Sequence, residues 1–136
     1  MKRFLLLLLT LAMLLLPFSG CGEEQGETSP LLTRKDGAVR VEVRSLPEGY
    51  AYSFAEEDAE AIVAYLSGLH LRSDFPENPD KYVGMTWVIS LAYENGEAET
   101  VYHFGNMFIR TENGPWYLMQ YEEANRFGTL CHELNK

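Results

Sequence analysis

GMTWVISLAYENGEAETVYHFGNMFIRTENGPWYLM, residues 84–119, is the stretch whose reading decides the fold. Asn95-Gly96, Gly105-Asn106 and Asn113-Gly114 are pairs that tolerate positive φ and so close tight hairpins. They cut the stretch into four expected strands, 84–94, 97–104, 107–112 and 115–119. A two-residue turn dictates the register. Leu91 then faces Thr100, Ile89 faces Tyr102 and Trp87 faces Phe104 across the first turn. Phe104 faces Met107 across the second, and Ile109 faces Leu118 and Thr111 faces Trp116 across the third. Opposed residues share a face. Met85, Trp87, Ile89, Leu91, Tyr93, Tyr102, Phe104, Met107, Ile109, Trp116 and Leu118 are thereby predicted to form one apolar surface.

Working outward, Val39, Val41 and Val43 alternate with Arg40, Glu42 and Arg44, which is the period of a half-buried strand. Pro47-Glu48-Gly49 turns the chain, and Ser53-Phe54-Ala55-Glu56 has the pattern of a helix capping box. Ala55, Ala59, Ile62, Val63, Leu66 and Leu69 follow at helical spacing. A second helix is expected from about Tyr121, with Ala124, Phe127, Leu130, Cys131 and Leu134 on its apolar face. On that face Cys131 reads as a small core hydrophobe. These elements predict an α+β fold. It is a two-layer sandwich, an antiparallel β-meander of four or more strands with two helices packed on one face.

The N-terminus is of another kind. Lys2 and Arg3 precede an apolar run, Phe4 to Leu16, that Pro17 ends, and Phe18-Ser19-Gly20-Cys21 follows. The run falls short of the about 20 residues that span a bilayer, and its basic start and small-residue end fit a cleaved signal. Ser19-Gly20-Cys21 resembles the lipobox of bacterial lipoproteins, with Phe18 where that family usually has Leu. The resemblance implies cleavage before Cys21 and lipidation of its thiol. A palmitate-type anchor would then hold the chain on the extracytoplasmic face of the cell membrane. The expected organisation is a signal peptide at 1–20, a lipidated cysteine and flexible tether at 21–37, and a single α+β domain at 38–136. That domain, with Tyr102-His103-Phe104-Gly105-Asn106-Met107-Phe108-Ile109-Arg110 as its most distinctive run, resembles the small uncharacterised lipoprotein domains of Gram-positive bacteria. The likeness carries no activity with it.

The chain has 11 basic and 20 acidic residues, a net charge of −9. Losing residues 1–20 removes Lys2 and Arg3, so the charge of the remainder becomes −11. Such a chain repels nucleic acid, and any charged partner is expected to be cationic. His70, His103 and His132 have no ligand spacing, and Asp74, Glu77, Asn78 and Asp80 do not follow the EF-hand pattern. No nucleophile–base pair, metal set or cofactor motif is recognisable, so no catalytic residue, metal or cofactor is assigned.

The assumed register also writes out the second face of the sheet. One row reads Val88, His103, Phe108, Met119, and its neighbour Ser90, Val101, Arg110, Tyr117. That face is more apolar than a wetted one needs to be, and a contiguous exposed apolar patch marks a binding surface. His103, Phe108, Arg110, Tyr117 and Met119 are therefore the expected contacts for an envelope protein or peptide partner, of residue types that interfaces favour. A covering segment, Leu31-Leu32 or the 73–82 loop with Phe75 and Tyr82, is the competing expectation for this face. From a different class comes a small-ligand or envelope sensor, its pocket between helices and sheet lined by Trp87, Tyr93, Tyr102 and Trp116.

Overall fold

The structure is a computed structural model that describes residues 30–136. The expected signal peptide, Cys21 and residues 22–29 of the tether lie outside the described residues. The elements are β1 (Ala38–Leu46), β2 (Ala51–Ala55), α1 (Glu56–Gly68), β3 (Leu71–Arg72), a 3-10 turn (Pro79–Lys81), β4 (Thr86–Tyr93), β5 (Ala98–Phe104), β6 (Phe108–Thr111), β7 (Tyr117–Met119) and α2 (Tyr121–Leu134). Seven antiparallel strands form one sheet in the order β2-β1-β4-β5-β6-β7-β3. Both helices lie on the same face, which makes the α+β two-layer sandwich.

The meander β4–β7 is where the sequence places it, but each hairpin is one residue out of the expected register. In the first, Tyr93 N–H donates to Glu97 O at 2.9 Å and Gly96 N–H to Tyr93 O at 3.0 Å, with Gly96 at φ +85. This is a three-residue loop whose left-handed residue forms a bulge. Asn95-Gly96 is its second half rather than a complete two-residue turn. In the second, Gly105 and Asn106 both have positive φ and Met107 N–H reaches Phe104 O, yet Phe104 pairs with Phe108. Met107 is passed over by the ladder and accepts instead from Met119 N–H at 2.7 Å. In the third, Gly114 N–H closes on Thr111 O, and Ile109 faces Tyr117. The cross-strand row is Trp87–His103–Ile109–Tyr117, not Trp87–Phe104–Met107. A one-residue slip sends a strand's side chains to the opposite face. Tyr102, Phe104 and Leu118 consequently lie on the second face, and Val101, His103, Tyr117 and Met119 on the helix face.

The core fills the helix face. Val41 and Val43 of β1 pair with Leu91 and Ile89, so the first strand docks beside β4. Val39, expected inward, is 42% exposed because the register shifts between Ala38 and Arg40. Ala59, Ile62, Val63 and Leu66 of α1 and Ala124, Phe127 and Cys131 of α2 close over the sheet. Phe127 sits among Trp87, His103 and Tyr65, with ring centroids 5.2–5.7 Å away. Burial pushes the Cys131 thiol up to about 12, so it packs as a hydrophobe and does not ionise.

Two expected boundaries move. Ser53 does not cap a helix: it belongs to β2, and the residue before α1 is Ala55, with no side-chain cap. Pairing of Ser53 with Glu42 of β1 outweighs the local capping pattern. Residues 30–37, expected within the tether, are held against the domain. Leu31 and Leu32 are buried in the core, Thr33 donates to Glu99, and Arg34 pairs with Glu97 beneath the Tyr93 ring. Average composition hides two adjacent leucines, each of which gains about 1.5–3 kcal/mol on burial.

Phe127→Ala would leave a cavity under three rings. It is expected to lower unfolding free energy by about 3–5 kcal/mol, measured by chemical denaturation.

Candidate functional site

The five expected contact residues do not share a surface. His103 and Met119 are buried and Tyr117 half-buried on the helix face, while Phe108 and Arg110 lie on the second face. The reason is the register alone, since in the two-residue-turn pairing all five align.

Phe108 is not exposed either. It is fully buried in a small second core, under Tyr82 (5.2 Å, edge-on) and Phe75 (5.7 Å) and beside Phe104 and Trp116. The 73–82 loop, expected as a cover for this face, thus lies with Phe75 and Tyr82 over its β5–β6–β7 half, and the chain runs on to Met85. Gly105 N–H donates to Met85 O at 2.9 Å there, and a side chain at Gly84 would press within 3.2 Å of Gly105 Cα. Arg110 lies between aromatic rings, its guanidinium 4.7 Å from the Trp116 centroid and 5.5 Å from that of Tyr102. A guanidinium stacked in this way is held by the ring quadrupoles. Asn78 caps the 3-10 turn by accepting from Asp80 N–H at 3.0 Å.

The other half of the second face, over β2, β1 and β4, is uncovered among the described residues. Here Ala51 and Ser53 of β2 and Ser90 of β4 are small, and Glu42 and Arg44 of β1 stand between them. Together with Val88 they line an open trough of about 470 Å³. Arg40 pairs with Glu42 at 2.5 Å, whereas Arg44 makes no ion pair among the described residues. A second hollow of about 450 Å³ continues around the β1–β2 hairpin, past Arg44, Leu46 and Tyr50. Leu46 (40% exposed) lines this second hollow, while the Tyr50 ring turns to Tyr52 and Trp87 on the helix face. The hairpin is shaped by Ser45, whose hydroxyl accepts from Tyr50 N–H and donates to Pro47 O.

On the helix side, Glu123 accepts from both the backbone N–H (2.9 Å) and Nδ1 (2.5 Å) of His70, tying the approach to β3 to the first turn of α2. Nothing local in the sequence marks this pair, whose members stand 53 positions apart. The pair clamps the approach to β3 onto α2. Tyr65 hydroxyl donates to Glu123 O at 2.9 Å, and burial, followed by the Glu123 charge, raises its pKa and keeps it a donor. Its oxygen then accepts from His103 Nε2 at 3.3 Å, which assigns the His103 proton to Nε2. The aromatic residues expected around a sensor pocket are also divided. Trp87 and Tyr93 are buried on the helix face, and Trp116 packs with Phe108 on the other.

The chain matches no protein-family model, no curated protein and no solved structure at a significant level.

Burial pushes the pKa of His103 down to about 4, so the ring is neutral at physiological pH. In the unfolded chain it titrates near 6.5. As pH falls the unfolded state takes up the proton first. The stability due to neutral His103 is whole above about pH 6.5 and is lost between there and pH 4, by up to about 3 kcal/mol. Melting temperatures of wild type and His103→Gln, measured from pH 7 to 4, should differ in slope over that window, with the variant the flatter.

Proposed function

We propose that the chain is a lipoprotein, anchored through acylated Cys21 on the extracytoplasmic face of the cell membrane. Its domain is a non-catalytic module that binds an extended peptide segment of an envelope protein along the β2–β1–β4 half of the second sheet face. The anchor rests on the Ser19-Gly20-Cys21 motif behind its basic and apolar leader. Among the described residues no helix is long and apolar enough to cross a membrane.

The observation that carries the binding reading is the asymmetry of the second face. One half is sealed by Phe75 and Tyr82, while the other holds a trough of about 470 Å³ with Arg44, which has no ion pair among the described residues, and with Leu46 at its end. Small residues on both sides of β1 let an extended backbone approach. Arg44 offers charge-assisted hydrogen bonds to a carbonyl or carboxylate, and Leu46 offers apolar contact. Phe108 and Arg110 support this surface from inside the aromatic layer and do not touch the ligand. Phe108→Asp is therefore expected to unfold the aromatic layer instead of merely blocking a partner.

Two measurements test the reading. Incorporation of labelled palmitate in growing cells should be abolished by Cys21→Ser, and undiminished label in that variant would sink the anchor. A photo-crosslinker at Ser90 of the full chain in its own membrane should yield one adduct, mapped by mass spectrometry to an extended segment of an envelope protein. Arg44→Glu together with Leu46→Asp should lower that yield at least about tenfold, equivalent to some 1.4 kcal/mol of binding. An adduct indifferent to both substitutions would reject the trough as the site.

A further inference from the structure

The two edges of the sheet are unequal. β3 offers two residues, whereas β2, the other outermost strand, offers five and has no partner on its outer side among the described residues. Ser45 N–H donates to Tyr50 O at 2.9 Å. Bonded and non-bonded pairs alternate along an antiparallel ladder, so Val43–Tyr52 and Val41–Phe54 are the next bonded pairs. It follows that the N–H and C=O groups of Ala51, Ser53 and Ala55 point away from the sheet.

Exposed edges usually carry a charge, a proline or a bulge that discourages pairing. β2 carries none of these. Its sequence, Ala51-Tyr52-Ser53-Phe54-Ala55, reads small, aromatic, small, aromatic, small from either end. A two-fold axis places a strand against its own reverse, and only such a pattern matches itself at every position.

We propose that β2 pairs with β2 of a second copy of the chain, antiparallel about a two-fold axis at Ser53, joining the two sheets into one. Ser53 then lies opposite Ser53 of the second copy, and Ala51 opposite Ala55. Each of these outward pairs exchanges two backbone hydrogen bonds, and no large side chain stands in the way. On the helix face Tyr52 meets Phe54 of the other copy. This prolongs a ladder in which Tyr50, Tyr52 and Phe54 already stack with centroids 6.4 and 5.9 Å apart. Glu56, which opens α1, falls opposite Tyr50 and not opposite another acid. The pairing stands on β2 alone and does not require the peptide reading. Where both hold, the two troughs adjoin across the axis, since Ala51 and Ser53 line each of them.

The test is symmetric cysteine crosslinking of the full chain in membranes, followed by sedimentation of the detergent-solubilised protein. In the proposed register the two Ser53 Cα atoms are about 5.5 Å apart, within disulfide reach. Ser53→Cys should give a covalent dimer under mild oxidation, whereas wild type, whose Cys131 is buried, should not. Ala51→Cys alone should fail, its counterpart lying about 13 Å away, and copies carrying Ala51→Cys and Ala55→Cys should link when co-produced. Ser53→Pro removes an N–H that points outward, so it should keep the melting temperature within a few degrees and weaken the dimer at least tenfold. Arg44→Glu, which damages the trough, should leave the dimer unchanged. Crosslinking of Ala51→Cys as efficient as that of Ser53→Cys would overturn the register. A wild-type chain monomeric at every concentration, whether its edge is bare or covered by its own N-terminal segment, would overturn the pairing.

Discussion

The hydrogen bond from Tyr93 N–H to Glu97 O, which closes the first hairpin over three residues, is the constraint on which the rest of the structure depends. Side chains of a strand alternate with a period of two, so the length of that loop decides which half of β5 faces the helices. It turns His103 and Val101 inward and Tyr102 and Phe104 outward. The passed-over Met107 carries the same choice into β6, where Ile109 goes inward and Phe108 outward. The two later irregularities keep one apolar row continuous from Trp87 to Tyr117.

Two apolar layers result, of different size and purpose. On the helix face, α1 and α2 bury β1, β4 and the inward residues of the meander around Phe127. On the second face, aromatic residues displaced from the expected core need cover of their own, and the 73–85 segment supplies it with Phe75 and Tyr82. That segment shields only the β5–β6–β7 half of the sheet. The functional reading rests on the unshielded remainder, where β1 keeps its charges and β2 and β4 their small residues. Burial of neutral His103 within the larger layer is the electrostatic cost of placing a polar ring where the register demands a core residue, with Tyr65 and Phe127 as its neighbours.

Much of the fold was legible in single segments. The valines of β1, the helical spacing of Ala59, Ile62, Val63 and Leu66, and the apolar stripe through Phe127 and Cys131 each needed only local periodicity. The candidate site was far less legible. Its choice turned on whether three turns held two residues or more, and Asn-Gly satisfies a two-residue turn and a three-residue loop alike. The Leu31-Leu32 anchor, the His70–Glu123 clamp and the strand identity of Ser53 were hidden for a related reason. Each depends on a partner at least 11 positions away, and local capping or composition rules are silent about such partners.

What the amino-acid sequence determined by itself is β1, the meander, the two helices, their order and the sandwich class, because periodicity and turn-forming residues act over a few neighbours. The tertiary structure alone decided which face each meander side chain occupies, where β1 and β2 dock, and which half of the second face stays open. Those outcomes come from backbone hydrogen bonds between segments and from the path of the covering loop. Whether a side chain ends in a core or on a surface then follows from one residue of register, a shift that leaves local patterning almost unchanged.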